Sequence, residues 1–209
     1  MTKKKALREA RATVRVPGKR KLSAPVFFRR VLYVALLGAV FAVPAIRTMH
    51  GGASAAPPPG ATIGPSGLPL PRFVSLKVDR VNVRVGPSTS YPVDWLYMRE
   101  GLPVEILQEY DTWRKIRDSD GTEGWVNKIL LSGRRTGIVT PWQKGKNVEI
   151  PLRADPGKDA HAVAFLQPGI IGQIRSCNGT WCEMSFSGHR GWINQNLIWG
   201  AYPGELYKE

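Results

Sequence analysis

Residues that carry chemistry are scarce in this sequence. Its 209 residues include only two cysteines and three histidines. His50 belongs to the N-terminal segment. His161 and His189 fall near turns, with no free thiol beside them and no recognisable nucleophile–base–orienter pattern. No G-x-x-x-x-G-K or H-E-x-x-H stretch occurs, and two cysteines alone do not complete a zinc site. The reading is a non-enzyme without cofactor or metal. Acidic residues are also few, 16 Asp+Glu against 30 Lys+Arg, for a net charge of +14. Long apolar runs are missing too: the apolar run Val31–Val43, without charge over its 13 residues and ended by Pro44, would rise about 20 Å as a helix, short of the roughly 30 Å hydrocarbon core.

The positive charge is concentrated at the front. Residues 1–55 hold 12 Lys+Arg and one Glu, leaving 18 against 15 beyond, a net of +3. So mixed a remainder is no electrostatic footprint for nucleic acid, which is excluded as a partner. A basic stretch, an apolar core over 31–43 and the small residues of Gly51–Ala56 follow the order of a secretory leader. Two outcomes stay open. Cleavage near Ala53-Ser54-Ala55 would release a periplasmic or secreted protein; retention would leave an inner-membrane anchor with the C-terminal part outside the cytoplasm. Arg29-Arg30 ahead of the core is also loosely similar to a twin-arginine export signal.

Six prolines in residues 56–72 predict an extended spacer. The sequence then repeats. Gly101–Leu107 aligns with Gly169–Arg175, Asp111-Thr112-Trp113 with Gly179-Thr180-Trp181, and Gly124-Trp125-Val126-Asn127 with Gly191-Trp192-Ile193-Asn194. Earlier in each copy, Val83-Arg84 and Pro87 match Leu152-Arg153 and Pro156. Alternating apolar positions, separated by turn residues every 8–12 positions, predict short strands in two small all-β barrels or sandwiches over 73–139 and 140–209.

Copy one resembles the bacterial SH3-like (SH3b) family found in exported cell-envelope proteins. The resemblance rests on Val81–Val93 (VNVRVGPSTSYPV), Gly101–Leu107, Trp113–Ile116 and Gly124–Val126. Copy two keeps the closing motifs, but its opening reads Pro151-Leu-Arg153-Ala-Asp155-Pro156. The resemblance implies two SH3-like β-barrels that recognise peptidoglycan stem peptides or extended envelope peptides. The alternative is a membrane-anchored scaffold for a protein partner. The A-L-Y-D-Y-type segment of eukaryotic SH3 grooves is missing, so proline-rich ligands do not transfer with the name.

Trp125 and Trp192 are read as fillers of the interior, and Gly86 as a tight turn fixed by Asn82 or Arg84. Tyr91, Trp95, Tyr97, Tyr110 and Trp113 exceed what a small core hides, so they are groove candidates, with Arg84, Asp94 and Arg99 as polar anchors. Cys177 and Cys182 flank a four-residue turn and face each other across a hairpin, so a disulfide is expected in an exported domain. The aligned pair in copy one is Glu109 and Arg114, a possible cross-strand ion pair.

Overall fold

A computed structural model describes residues 60–209; the leader and both of its readings lie outside the described residues. Among the described residues there is no α-helix, only strands and three single-turn 3-10 segments, and no helix is long and apolar enough to cross a membrane. The first sheet begins after a short hairpin of β1 (Thr62–Ile63) and β2 (Pro69–Leu70). It contains β3 (Arg72–Leu76), β4 (Val81–Arg84), β5 (Val93–Tyr97), β6 (Pro103–Tyr110), β7 (Trp113–Arg117), β8 (Glu123–Asn127) and β9 (Leu131–Ser132). The second contains β10 (Thr136–Val139), β11 (Ile150–Arg153), β12 (Ala162–Leu166), β13 (Ile171–Asn178), β14 (Trp181–Phe186), β15 (His189–Asn194), β16 (Ile198–Trp199) and β17 (Leu206–Lys208).

Strand order runs β5-β4-β8-β7-β6-β3-β9 in the first sheet and β12-β11-β15-β14-β13-β10-β16 in the second, with β17 added on β13. The two orders are the same, so the internal repeat is a repeat of topology. Register shifts recur at matching places, after Val83 and Leu152 and after Ile106 and Ile174. Each shift accommodates an extra residue and sharpens the bend. Bending brings the ends of the path onto one core: Trp95 and Tyr97 from β5 share it with Val74 and Leu76 from β3 and with Leu131 from β9. Hydrogen bonding does not join the end strands, so the closed barrels expected from the sequence are two open, strongly curled sheets. The reason is local: β9 has two residues, and both pair with β3.

β10 pairs with β13 and β16, so the second sheet takes in residues ahead of 140, while Ile138 of the same strand packs in the first core. Much of the presumed spacer is folded as well: β1 and β2 form a hairpin, and Ser66 at its tip bonds Glu109 of β6. Proline disfavours interior strands but tolerates such a peripheral two-stranded ribbon.

Alternation decides which side chains enter the cores. In β4 Val81 and Val83 are buried while Asn82 is exposed; in β5 Trp95 and Tyr97 point inward. In β8 the inward residues are Gly124 and Val126, and in β15 they are Gly191 and Ile193. Trp125 and Trp192 therefore lie on the outer face, half-buried, not in the interior as their sequence context implied. The large side chains inside the cores are instead Trp95 and Tyr97 in copy one and Phe186 and Met184 in copy two. Each fully buried aliphatic or aromatic side chain contributes about 1.5–3 kcal/mol, so a core this small depends on nearly every one.

The two aligned staples are present. Cys177 and Cys182 are register partners on β13 and β14, joined by a disulfide with Cα atoms 4.1 Å apart. Glu109 and Arg114 are register partners on β6 and β7, with a 3.1 Å ion pair. The turn between the staple positions needs a left-handed residue: Gly179 (φ 91°) provides it in copy two and Asp111 (φ 49°) in copy one.

Candidate functional site

Two places combine exposed aromatic surface with cationic side chains. The first is the loop edge of copy one. Arg84 leaves the end of β4, and its guanidinium donates to the carbonyl of Tyr91 at 2.5 Å, closing the 85–92 loop. Arg153 does the same to Ala160 in copy two, so this part of the opening motif works in both copies despite their different sequences. Tyr91 packs its ring directly over Gly86, where a Cβ would collide with the ring, and 45% of the residue remains exposed. Gly86 is therefore required by the tyrosine above it. In copy two the corresponding residues are Asp155 and Ala160: without the large ring, the glycine is unnecessary. Trp125 is the register partner of both Arg84 and Lys115, so arginine, tryptophan and lysine form a cross-strand row beside the loop. This row can stack on an apolar or amide-rich chain and bond its carbonyls or carboxylates.

The other predicted groove residues do not gather here. Trp95, Tyr97 and Trp113 are buried, because the strand alternation of β5 and the start of β7 turn them inward. The Tyr97 hydroxyl donates to Asp118 at 3.0 Å; burial first, then the Asp118 charge, push its pKa above the ordinary tyrosine range. Tyr110 is exposed next to the β6–β7 turn, and Asp94 is exposed on β5. Arg99 lines a separate small hollow with Asp118 and Asp120. Asn82 faces solvent, so Arg84 alone of the two proposed residues fixes the loop. His161 is exposed and His189 half-exposed, and no cluster suited to holding a metal occurs among the described residues.

The second place is a cleft of about 440 Å³ where the copies meet. Phe73 of β3 packs edge-on against Trp199 (5.2 Å between centroids) and at a tilt against Tyr202 (4.7 Å). Arg135 stands over Phe73 and Tyr207, 5.8 and 5.0 Å from their ring centroids, and makes a bidentate pair with Glu205 at 2.8 and 2.9 Å. Its second terminal nitrogen also donates to the Gly200 carbonyl. Across the junction, Tyr202 donates to Glu105 at 2.8 Å and Thr136 to the Gly101 carbonyl at 2.8 Å. Gly101 and Glu105 belong to the repeated Gly101–Leu107 stretch, which gives no hint of a junction; Phe73, Arg135, Tyr202, Glu205 and Tyr207 lie outside the aligned motifs, so the repeat carries no signal for them.

Glu109 connects the hairpin to this region. Burial raises its pKa, but the hydrogen bond from Arg72, those from the Ser66 backbone and hydroxyl, and the Arg72 charge outweigh it and hold the carboxyl at about 2. A carboxyl depressed in the folded state stabilises it fully above the ordinary value of 4.5, and that contribution is lost as pH falls toward 2. Thermal unfolding followed by circular dichroism between pH 6 and pH 2 should show Glu109→Gln losing about 1–2 kcal/mol relative to the wild type at pH 6, with the difference vanishing near pH 2. A constant difference across that range would refute the assignment.

The fold and these two places define a class: a tandem of small curled β domains with loop-held arginine and exposed aromatic surface, the build of a recognition module. A family model described as bacterial SH3 domain matches residues 77–133 and 146–200, more than half of the chain, and the chain belongs to that family. Solved structures similar to it include NlpC2 from Trichomonas vaginalis, at 12% identity over 63% of this chain and 49% of that one, with a TM-score of 0.28. Another is an NlpC/P60 family protein from Bacillus cereus, at 11% identity over 66% of this chain and 57% of that one, with a TM-score of 0.27. The chain spans about half the length of these structures. No curated protein matches it significantly.

Proposed function

We propose that this is an exported, non-catalytic envelope protein whose first SH3 copy binds peptidoglycan stem peptides or extended envelope peptides at the Arg84–Tyr91–Trp125 edge. The observation that carries the reading is the half-exposed Tyr91 ring, seated on Gly86 and held by the Arg84 bond to its own carbonyl. A large aromatic fixed in place loses little entropy when it meets a ligand. Copy two has the bond without the aromatic, so it supports the first copy rather than duplicating its site.

The test is co-sedimentation of the purified protein with sacculi. Retention above a control protein is expected, falling roughly tenfold in Tyr91→Ala and in Trp125→Ala while the melting temperature shifts little. Equal sedimentation of wild type and variants, or no retention at all, would remove this reading. Export and the fate of the leader are part of the proposal. N-terminal sequencing of the mature protein separates a cleaved periplasmic form from an inner-membrane anchored one, the form in which a scaffold for a protein partner would act.

A further inference from the structure

The cleft between the copies is a second candidate site, independent of the Tyr91 edge. Most of its lining comes from segments outside the two family matches: the β1–β2 hairpin, β3, the connection through Arg135 and the C-terminal residues after Gly200. It is thus particular to the way these two copies are joined. Its volume, about 440 Å³, lies in the ~300–1,000 Å³ range of small-molecule sites. The walls are largely apolar: Leu68 from the hairpin, Leu131, Phe73, Tyr202 and Tyr207. Leu68 is 49% exposed, apolar surface on a hairpin with no core of its own.

Charge defines the other end of the ligand. Arg135 is neutralised by Glu205 within the wall. Toward the smaller adjoining hollow, which shares Ser66, Arg114 and Lys128 with the cleft, the cations are Arg72, Arg114 and Lys128. Glu109 bridges the two arginines, and Asp111 lines the hollow, leaving a surplus of one positive charge. Lys128 makes no ion pair among the described residues, and it is exposed. A dianionic phosphate would meet Glu109 and Asp111 with excess negative charge; a monoanion balances the set.

We propose that this cleft binds a small amphiphile, an apolar chain ending in a single carboxylate, with the chain along Leu68, Phe73 and Tyr207 and the carboxylate at Lys128. Titration of the full-length protein with decanoate, followed by calorimetry, should give saturable one-to-one binding. Lys128→Glu, a surface change that leaves the fold intact, should weaken it at least tenfold, and so should Leu68→Asp. Decylamine and decanol, with the same chain and a different head, should each bind at least tenfold more weakly. Absence of saturation, unchanged affinity in Lys128→Glu, or equal binding of the amine would overturn the proposal. So would capture by phosphatidylglycerol vesicles without decanoate binding, which would assign the cations to a lipid surface. Retention on sacculi should be the same for Lys128→Glu as for wild type, so failure here is distinguishable from failure at the Tyr91 edge.

Discussion

Replacing Glu205 by alanine should destabilise the protein by about 3–5 kcal/mol, because it strands the Arg135 guanidinium in a buried setting. Glu205 is itself buried, accepts both terminal nitrogens of Arg135 and also accepts the Tyr202 backbone N–H at 2.9 Å. Removing the carboxylate leaves a buried cation with only the Gly200 carbonyl as a charge-assisted partner. Removing both charges is a different experiment. In Arg135→Met with Glu205→Leu nothing charged is left buried, so more than half of the lost stability should return. Urea unfolding followed by tryptophan fluorescence measures both. Because Ile138 of the second copy packs in the core of the first, both copies should unfold in one transition in the wild type. A Glu205→Ala loss under 1 kcal/mol would show that the pair is dispensable, contrary to its burial.

The repeat was legible because it is written in turn chemistry and spacing, which a sequence carries directly. Gly101 and Gly169 both adopt positive φ before the long strands β6 and β13, and Asn127 and Asn194 each cap the 3-10 turn that follows their strand. The staple pair was legible for the same reason: register partners across a short turn are fixed by counting residues. What counting could not supply was facing. A one-residue error in phase exchanges the two faces of a strand, and the tryptophan of each G-W motif looks more like core than the glycine beside it.

The junction was illegible on other grounds. Arg72 at the start of β3 and Arg135 just before β10 occupy equivalent places in their copies, as the pairings of β3 with β6 and β10 with β13 show. Arg72 binds Glu109 within its own sheet. In copy two the position of Glu109 is Cys177, committed to the disulfide, and Arg135 takes its carboxylate from Glu205 in the C-terminal extension instead. One staple thus replaces another, and the freed arginine binds the tail that walls the cleft. That exchange depends on a contact 70 residues apart in sequence, which no local pattern announces.

Gly191→Ala should cost about 3 kcal/mol and lower the melting temperature by roughly 6–12 °C. A methyl group built on Gly191 lies 2.5 Å from the Arg153 carbonyl oxygen and 2.8 Å from Leu152 Cγ. The first contact is backbone of β11, which is tied into the sheet on both sides, by β12 and by β15, so it cannot yield without breaking pairings. In copy one the same methyl on Gly124 meets Val83 Cγ1, and the Arg84 carbonyl is further off at 3.2 Å. A side chain gives way more readily than a ladder, so Gly124→Ala should cost less, about 1–2 kcal/mol. Gly133 has open space around the position of its missing methyl, and Gly133→Ala should leave stability within about 0.5 kcal/mol. The comparison with Trp192→Ala decides between two readings of the motif. If the tryptophan filled the interior, its truncation would be the largest loss of the set, about 3–5 kcal/mol. With Trp192 half-buried on the outer face, differential scanning calorimetry should rank Gly191→Ala as more damaging than Trp192→Ala. The small residue of the motif, not the large one, is then what lets the closing strand pass against β11.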